Sequence, residues 1–194
     1  MENSTILNKY DSLFKSLKSI IKITDSRILH EEPDFFFLTN INFFIKSYLI
    51  SLCTYLEAYL QDIAYEYVKI VDQRISDAAI PNNYIHWKLK NDLKMKEMTF
   101  SDFDTHTLKK DLSDNLSGNP YKTIILFRHL GVDVAKGQDF QSYKDLVNSV
   151  VLKRNSIIHH NDEAMDISLS DLLHYIDIFV LYIKSIDQVI LKKL

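Results

Sequence analysis

The sequence predicts an all-α fold: a bundle of long antiparallel helices with a helical insertion between its two halves. Three observations carry this expectation. Gly and Pro occur only three times each in 194 residues, too few for the many turns of a sheet protein. Apolar residues recur at three- and four-residue spacing over runs far longer than a strand. Hydrophobic residues make up 46% of the chain and charged residues 25%, which suits a substantial core beneath an ordinary soluble surface. The length fits one domain, residues 1–194, with the insertion at about 81–116.

Each element has its own justification. From Ser4 to about Leu29, the residues Ile6, Tyr10, Leu13, Leu17, Ile20 and Ile21 form an apolar stripe flanked by lysines. Glu32-Pro33-Asp34 ends that helix, because the residue before a proline is pushed out of the helical region. From Asn40 to about Ser76, Ile45, Leu49, Leu52, Leu56, Tyr59, Ile63, Tyr67 and Ile70 hold the strongest periodicity in the chain. The period lies close to a heptad and fits a long antiparallel or dimeric pairing. Pro81-Asn82-Asn83 is a turn. Tyr84 to about Met98 reads as a shorter helix with Trp87. Ser101 and Asp104 have capping-box spacing and open a further expected helix to about Leu116, stopped by Ser117-Gly118-Asn119-Pro120. Tyr121–Leu130 follows, with Gly131 at a left-handed C-cap position, and residues 132–138 form a loop. Asp139–Asn161 is the next helix, closed by Asn161-Asp162-Glu163. Ser168 and Asp171 form a second capping-box candidate, opening a final helix with Leu169, Leu172, Leu173, Ile176, Phe179, Val180, Ile183 and Ile190 on one face.

Composition narrows the function classes. The lone Cys53 excludes an internal disulfide framework and a cysteine metal cage; inside an apolar helix it reads as an inert buried thiol. The most apolar window, residues 35–60, carries Asn40, Asn42, Lys46 and Glu57, which a membrane span would penalise heavily. The first residues lack a basic start followed by an apolar run, so no leader and a cytoplasmic location are expected. A formal net charge of −3 supplies no global attraction to nucleic acid, so any RNA contact must rest on local basic patches. The densest such run is Lys88, Lys90, Lys94, Lys96, Lys109 and Lys110. Beside Tyr84 and Trp87 it suits an RNA backbone and a stacked base; a solvated helix face is the other reading, and the usual one. No histidine pair has zinc-helix spacing with a carboxylate, and glycine loops for phosphates, nucleophile elbows and dinucleotide fingerprints are missing. No metal and no cofactor are therefore expected.

The helix at 139–161 holds the most informative residues. Tyr143, Leu146, Val147, Val150 and Val151 form its apolar face. Arg154 follows Val150 by four residues and sits at the edge of that face, where a guanidinium needs a partner. His159 follows Asn155 by four, so the two lie one above the other within hydrogen-bonding reach.

Arg154-Asn155-Ser156-Ile157-Ile158-His159 resembles the R-N-x-x-x-H motif of HEPN domains. Leu56-Glu57-Ala58-Tyr59-Leu60 is similar to a signature of the RiboL-PSP and MAE-type HEPN branches. Asn119-Pro120 with Leu126, Phe127 and Leu130-Gly131 resembles the region before the motif helix there. The likeness covers most of the chain, least of all residues 81–116. It implies a HEPN-like bundle of four to five helices that forms a homodimer, the motif helices of two subunits meeting at a shared cleft. It also implies one of two functions. Many such proteins are metal-independent endoribonucleases of toxin–antitoxin, phage-defence or stress systems, held in check by an antitoxin or other regulatory protein. Others are catalytically inactive modules that assemble with a protein or nucleotide partner.

Under the first function, Arg154, Asn155 and His159 are the expected catalytic residues, with Glu57 and His160 in support and Lys88, Lys90, Lys94, Lys96 and Lys153 toward the RNA. Members often carry a small residue after the histidine, where this chain has His160, so the motif admits either imidazole; the stacking on Asn155 favours His159. A histidine titrates near about pH 6.5 and can take and return a proton in the cell. Arginine stays charged and forks onto phosphate oxygens. Glu57 is expected either to pair with Arg154 or to be solvated. The bland alternative for the whole motif is a structural arginine–carboxylate pair and two histidines at the negative pole of a helix.

Overall fold

The computed structural model describes residues 3–91, 93–160, 164 and 166–194. Its helices are α1 (Thr5–Ile28), α2 (Phe35–Thr39), α3 (Ile41–Asp77), α4 (Asn82–Lys88), α5 (Lys109–Ser113), α6 (Pro120–His129), α7 (Gln138–His160) and α8 (Leu169–Leu191), with short 3-10 turns at Met95–Glu97 and Val134–Lys136. The described residues contain no strand, only an isolated bridge between Pro81 and Asp102. An all-α HEPN-like bundle is the observed architecture.

Four long helices build the core. α1 packs on α3 and α8, α7 packs on α3 and α8, and α3 also meets α8. The predicted stripes are the buried faces, except that Ile20 of α1 lies out in solvent: Leu49, Leu52, Leu56, Tyr59 and Leu60 of α3 are fully enclosed, as are Phe14, Ile21, Phe140, Val147, Phe179 and Ile183. Two of the buried hydroxyls find partners where they lie, while the Tyr182 hydroxyl has none among the described residues. Tyr59 donates to the Ile183 carbonyl at 3.0 Å, and Tyr48 shares a 2.7 Å bond with Thr24. None of the described helices is long and apolar enough to cross a membrane.

Helix ends follow local chemistry. Ser4 caps α1 by accepting from the Leu7 amide at 3.0 Å, and Asn119 caps α6 by accepting from Tyr121 and Lys122. The Ser168 box forms as expected, its hydroxyl accepting from the Asp171 amide at 3.0 Å while the Asp171 carboxylate accepts from the Ser168 amide at 2.9 Å. Gly131 takes φ +75° after α6, a region L side chains avoid. Apolar α2, capped by Asp34 through the Phe36 amide, was not anticipated as a separate turn of helix. The closing segment Asn161-Asp162-Glu163 lies outside the described residues.

Two expectations for residues 81–116 are corrected. The helix expected from Tyr84 to Met98 stops at Lys88. There the Asn91 amide bonds the His86 carbonyl at 2.9 Å and the Lys90 amide bonds the Trp87 carbonyl at 3.2 Å, with Lys90 at φ +57°. That is a Schellman closure with lysine in the position glycine usually holds. The helix expected from Ser101 is absent until Lys109. Asp72 of α3 captures the intervening chain instead, accepting from the Thr105 hydroxyl at 2.7 Å and the Thr107 amide at 3.1 Å. A carboxylate that bonds two residues of one segment holds it extended and outcompetes a marginal local helix.

Candidate functional site at the end of α7

The valine face of α7 packs inward through Val147, Val150 and Val151, and the helical period carries Arg154 to the rim of the core. Its side chain is 13% exposed, and Nη2 lies 2.5 Å from Glu57 Oε1 of α3. The approach is an ion pair that misses hydrogen-bond alignment. Nε and Nη2 are both shut off from solvent without a hydrogen-bond acceptor among the described residues.

Glu57 is itself held. Its Oε1 accepts from the Gly118 amide at 3.2 Å, in the connection between α5 and α6. Gly118 is needed for closeness: a Cβ there would stand 3.1 Å from Val151 Cγ2 and 3.4 Å from Glu57 Cγ. The same connection is braced to α7 by Asn119, whose amide nitrogen donates to Asn148 Oδ1 at 3.0 Å, and by Tyr121, whose hydroxyl donates to Asp145 at 2.9 Å. Three parts of the chain thus aim one guanidinium.

Cys53, one turn before Glu57 on α3, is fully buried and also touches this group. Burial pushes its thiol up to about 12, against the pull of the Arg154 charge and hydrogen bond, while Glu57 pushes the same way as burial. The thiol is the neutral wall of the arginine's pocket. Sequence reasoning read it as inert and missed its contact with Arg154; its four-residue spacing from Glu57 was the available signal. Gly118 was read only as a helix stop, and nothing in the sequence marks its amide as a donor to Glu57.

The remaining expected residues divide by location. Asn155 is half-buried, and His159 and His160 are exposed in the last turn of α7. No hydrogen bond joins Asn155 to His159 among the described residues, so their stacking is one of position on the helix. Lys153 is half-buried and pairs with Asp166 at 2.7 Å; its hydrogen bond holds the Asp166 carboxyl below the usual range. Lys88, Lys90, Lys94 and Lys96 are all exposed on the segment after α3. Glu57 and Asp77, the last residue of α3, are twenty positions apart, about 30 Å of helix. These lysines follow α3 in the chain and make no ion pair with Glu57 or the motif residues among the described residues.

The arrangement has the parts for work on a phosphodiester. One cation fixed at the rim of the core is followed, within two turns of the same helix, by two solvent-facing imidazoles. Comparisons with curated proteins and with solved structures each return no match. A family model described as RiboL-PSP-HEPN matches residues 5–192. The match spans all four long helices, and with it the motif on α7 and its partner on α3: the chain belongs to the RiboL-PSP-HEPN family.

Proposed function

We propose that the protein is a metal-independent endoribonuclease of the HEPN type, acting as a toxin or phage-defence effector and working as a homodimer whose α7 ends share a cleft. The observation that carries this reading is the aimed guanidinium. Arg154 is positioned by Glu57, which the Gly118 amide holds, at the end of the helix that exposes His159 and His160. A charge pair serving stability alone does not call for a braced loop and adjacent free imidazoles.

In the reaction, the 2′-hydroxyl of RNA attacks the adjacent phosphorus. His159 takes the hydroxyl proton, the O2′–P bond forms, the P–O5′ bond breaks, and the imidazolium returns a proton to the departing 5′ oxygen. Arg154 meets the charge that builds on the phosphorane oxygens, and Asn155 orients the phosphate or the imidazole. The products are a 2′,3′-cyclic phosphate and a 5′-hydroxyl. His160 is the alternative base.

A second reading is favoured by one observation, the enclosure of Arg154 in its pair with Glu57. Under it the motif is a structural relic, and the protein is an inactive HEPN module that assembles with a protein or nucleotide partner. One experiment separates the two. Purified protein is incubated with total RNA and EDTA beside Arg154→Ala, His159→Ala and Glu57→Gln. The nuclease reading expects discrete products with cyclic phosphate ends, lost by at least a hundredfold in the first two variants and reduced in the third. An intact RNA pool with folded, dimeric wild-type protein selects the inactive module.

A further inference from the structure

We propose that the segment between α3 and α5 is a single-stranded RNA platform, with Trp87 as its stacking surface and the pocket beside it as a seat for the edge of a base. The proposal rests on the nuclease reading for its substrate and on its own geometry for the site.

Trp87 is 66% exposed and Tyr84 48% exposed. Their ring centroids lie 6.0 Å apart at 49°, so they form a bent aromatic surface and do not cover each other. Both sit on α4, and an isolated aromatic pair left open in this way has no role in the core. Lys88 Nζ stands 5.7 Å from the Trp87 ring centre, a cation placed beside a stacking face.

The pocket next to Trp87 has a volume of about 80 Å³ and is lined by Asn83, His86, Asn91, Leu93 and Met98 as well as Trp87. Its frame is tied: the Thr99 amide donates to Asn83 Oδ1 at 3.1 Å, and the Asn91 amide donates to the His86 carbonyl at 2.9 Å. Amide side chains at 83 and 91, with the half-buried imidazole of His86, line this pocket and carry donors and acceptors of the kind a base edge meets.

Charge selects the occupant. Residues 84–98 hold Lys88, Lys90, Lys94 and Lys96 against Asp92 and Glu97, in a chain whose formal net charge is −3. The Glu97 carboxylate accepts locally from the Lys94 amide at 2.9 Å. All four lysines are exposed. An aromatic face with lysines around it is the arrangement that binds a nucleic acid strand, phosphates on the cations and bases on the rings. A duplex offers its phosphates but keeps its bases stacked on one another, away from the rings.

Trp87 is the chain's one tryptophan, so its fluorescence reports on this surface directly. Wild-type and His159→Ala proteins are titrated with oligouridylate and oligoadenylate, with a fully paired RNA duplex, and with polyglutamate as a polyanion lacking bases. The expected result is saturable quenching by the single strands, weakening steeply as salt rises, with at least tenfold weaker response to the duplex and none to polyglutamate. Labelled-strand anisotropy should show affinity reduced about tenfold in Trp87→Ala and in Tyr84→Ala, and kept in Trp87→Phe, since stacking needs a ring and not an indole. Unchanged Trp87 fluorescence at strand concentrations where anisotropy reports binding overturns the platform, as does equal quenching by polyglutamate. The same titrations with an unstructured acidic protein in place of RNA test a protein-docking surface, and a stronger response there also overturns it. Because binding is read without cleavage, loss of the platform and loss of the nuclease reading are distinguishable.

Discussion

Asp62 shows how single side chains hold the peripheral segment to the bundle. Its Oδ1 pairs with Lys109 of α5 at 2.5 Å, and its Oδ2 accepts from Tyr10 at 2.7 Å and Lys9 at 3.0 Å. Burial opposes ionisation of this carboxyl, but the bonds from Lys109, Tyr10 and Lys9 outweigh it and hold the group down at about 2, against 3.8 ordinarily. The folded state therefore binds this proton less readily than the unfolded chain. The contribution is complete above about pH 4 and is lost as pH falls toward about 2. Asp62→Asn should lower stability at pH 7, and the gap to wild type should close as pH falls through that window. Urea denaturation at pH 7 and at pH 3 checks it; a constant gap would exclude the linkage. At the same scale the candidate site was half legible. Residue types and spacing pointed to Arg154, His159 and Glu57, but the Gly118 amide and the Cys53 wall carry no side-chain signature of their roles.

Helices with strong periodicity and a chemical stop ended close to where the sequence indicates, as α1 and α6 illustrate. α4 did not, because its closure places lysine where glycine is the usual marker. A non-glycine residue at φ +57° is strained by about 1 kcal/mol. Lys90→Gly should thus raise stability by about 0.5–1 kcal/mol, measured as an increase in thermal midpoint. It removes one of the platform's cations as well, so the same variant should bind single-stranded RNA more weakly while folding more tightly. Strain kept at a functional surface predicts opposite signs for those two measurements; gains in both would assign Lys90 no role in binding. The stretch at 101–108 failed for a different reason. A local capping pattern was overridden by Asp72, thirty-odd positions away in sequence.

The whole bundle is closed where its ends meet. The Ser4 amide donates to Asp187 Oδ2 at 3.1 Å, and the Ser4 hydroxyl donates to Asp187 Oδ1. Asp187 lies fully buried in α8, so the first residue of the first helix satisfies a core carboxylate of the last. Ser4→Ala removes one of these bonds and the α1 cap together, leaving a buried oxygen short of a donor. A loss of about 1–3 kcal/mol is expected, read as a lower urea midpoint with an unchanged slope. A change within experimental error would mean that the ends are not coupled.

By itself the sequence determined the all-α class, the four long helices and their buried stripes, the caps at Ser168 and Gly131, and the family resemblance in the motif. These depend on local period and local chemistry, which are written residue by residue. The tertiary structure alone decided that Glu57 reaches Arg154, that Gly118 holds Glu57, that Asp72 binds residues 105 and 107 outside a helix, and that Lys109 pairs with Asp62. Each of those is a meeting of groups distant in the chain. Such meetings arise from how faces pack, and spacing along one helix cannot report which backbone amide another segment will bring to it.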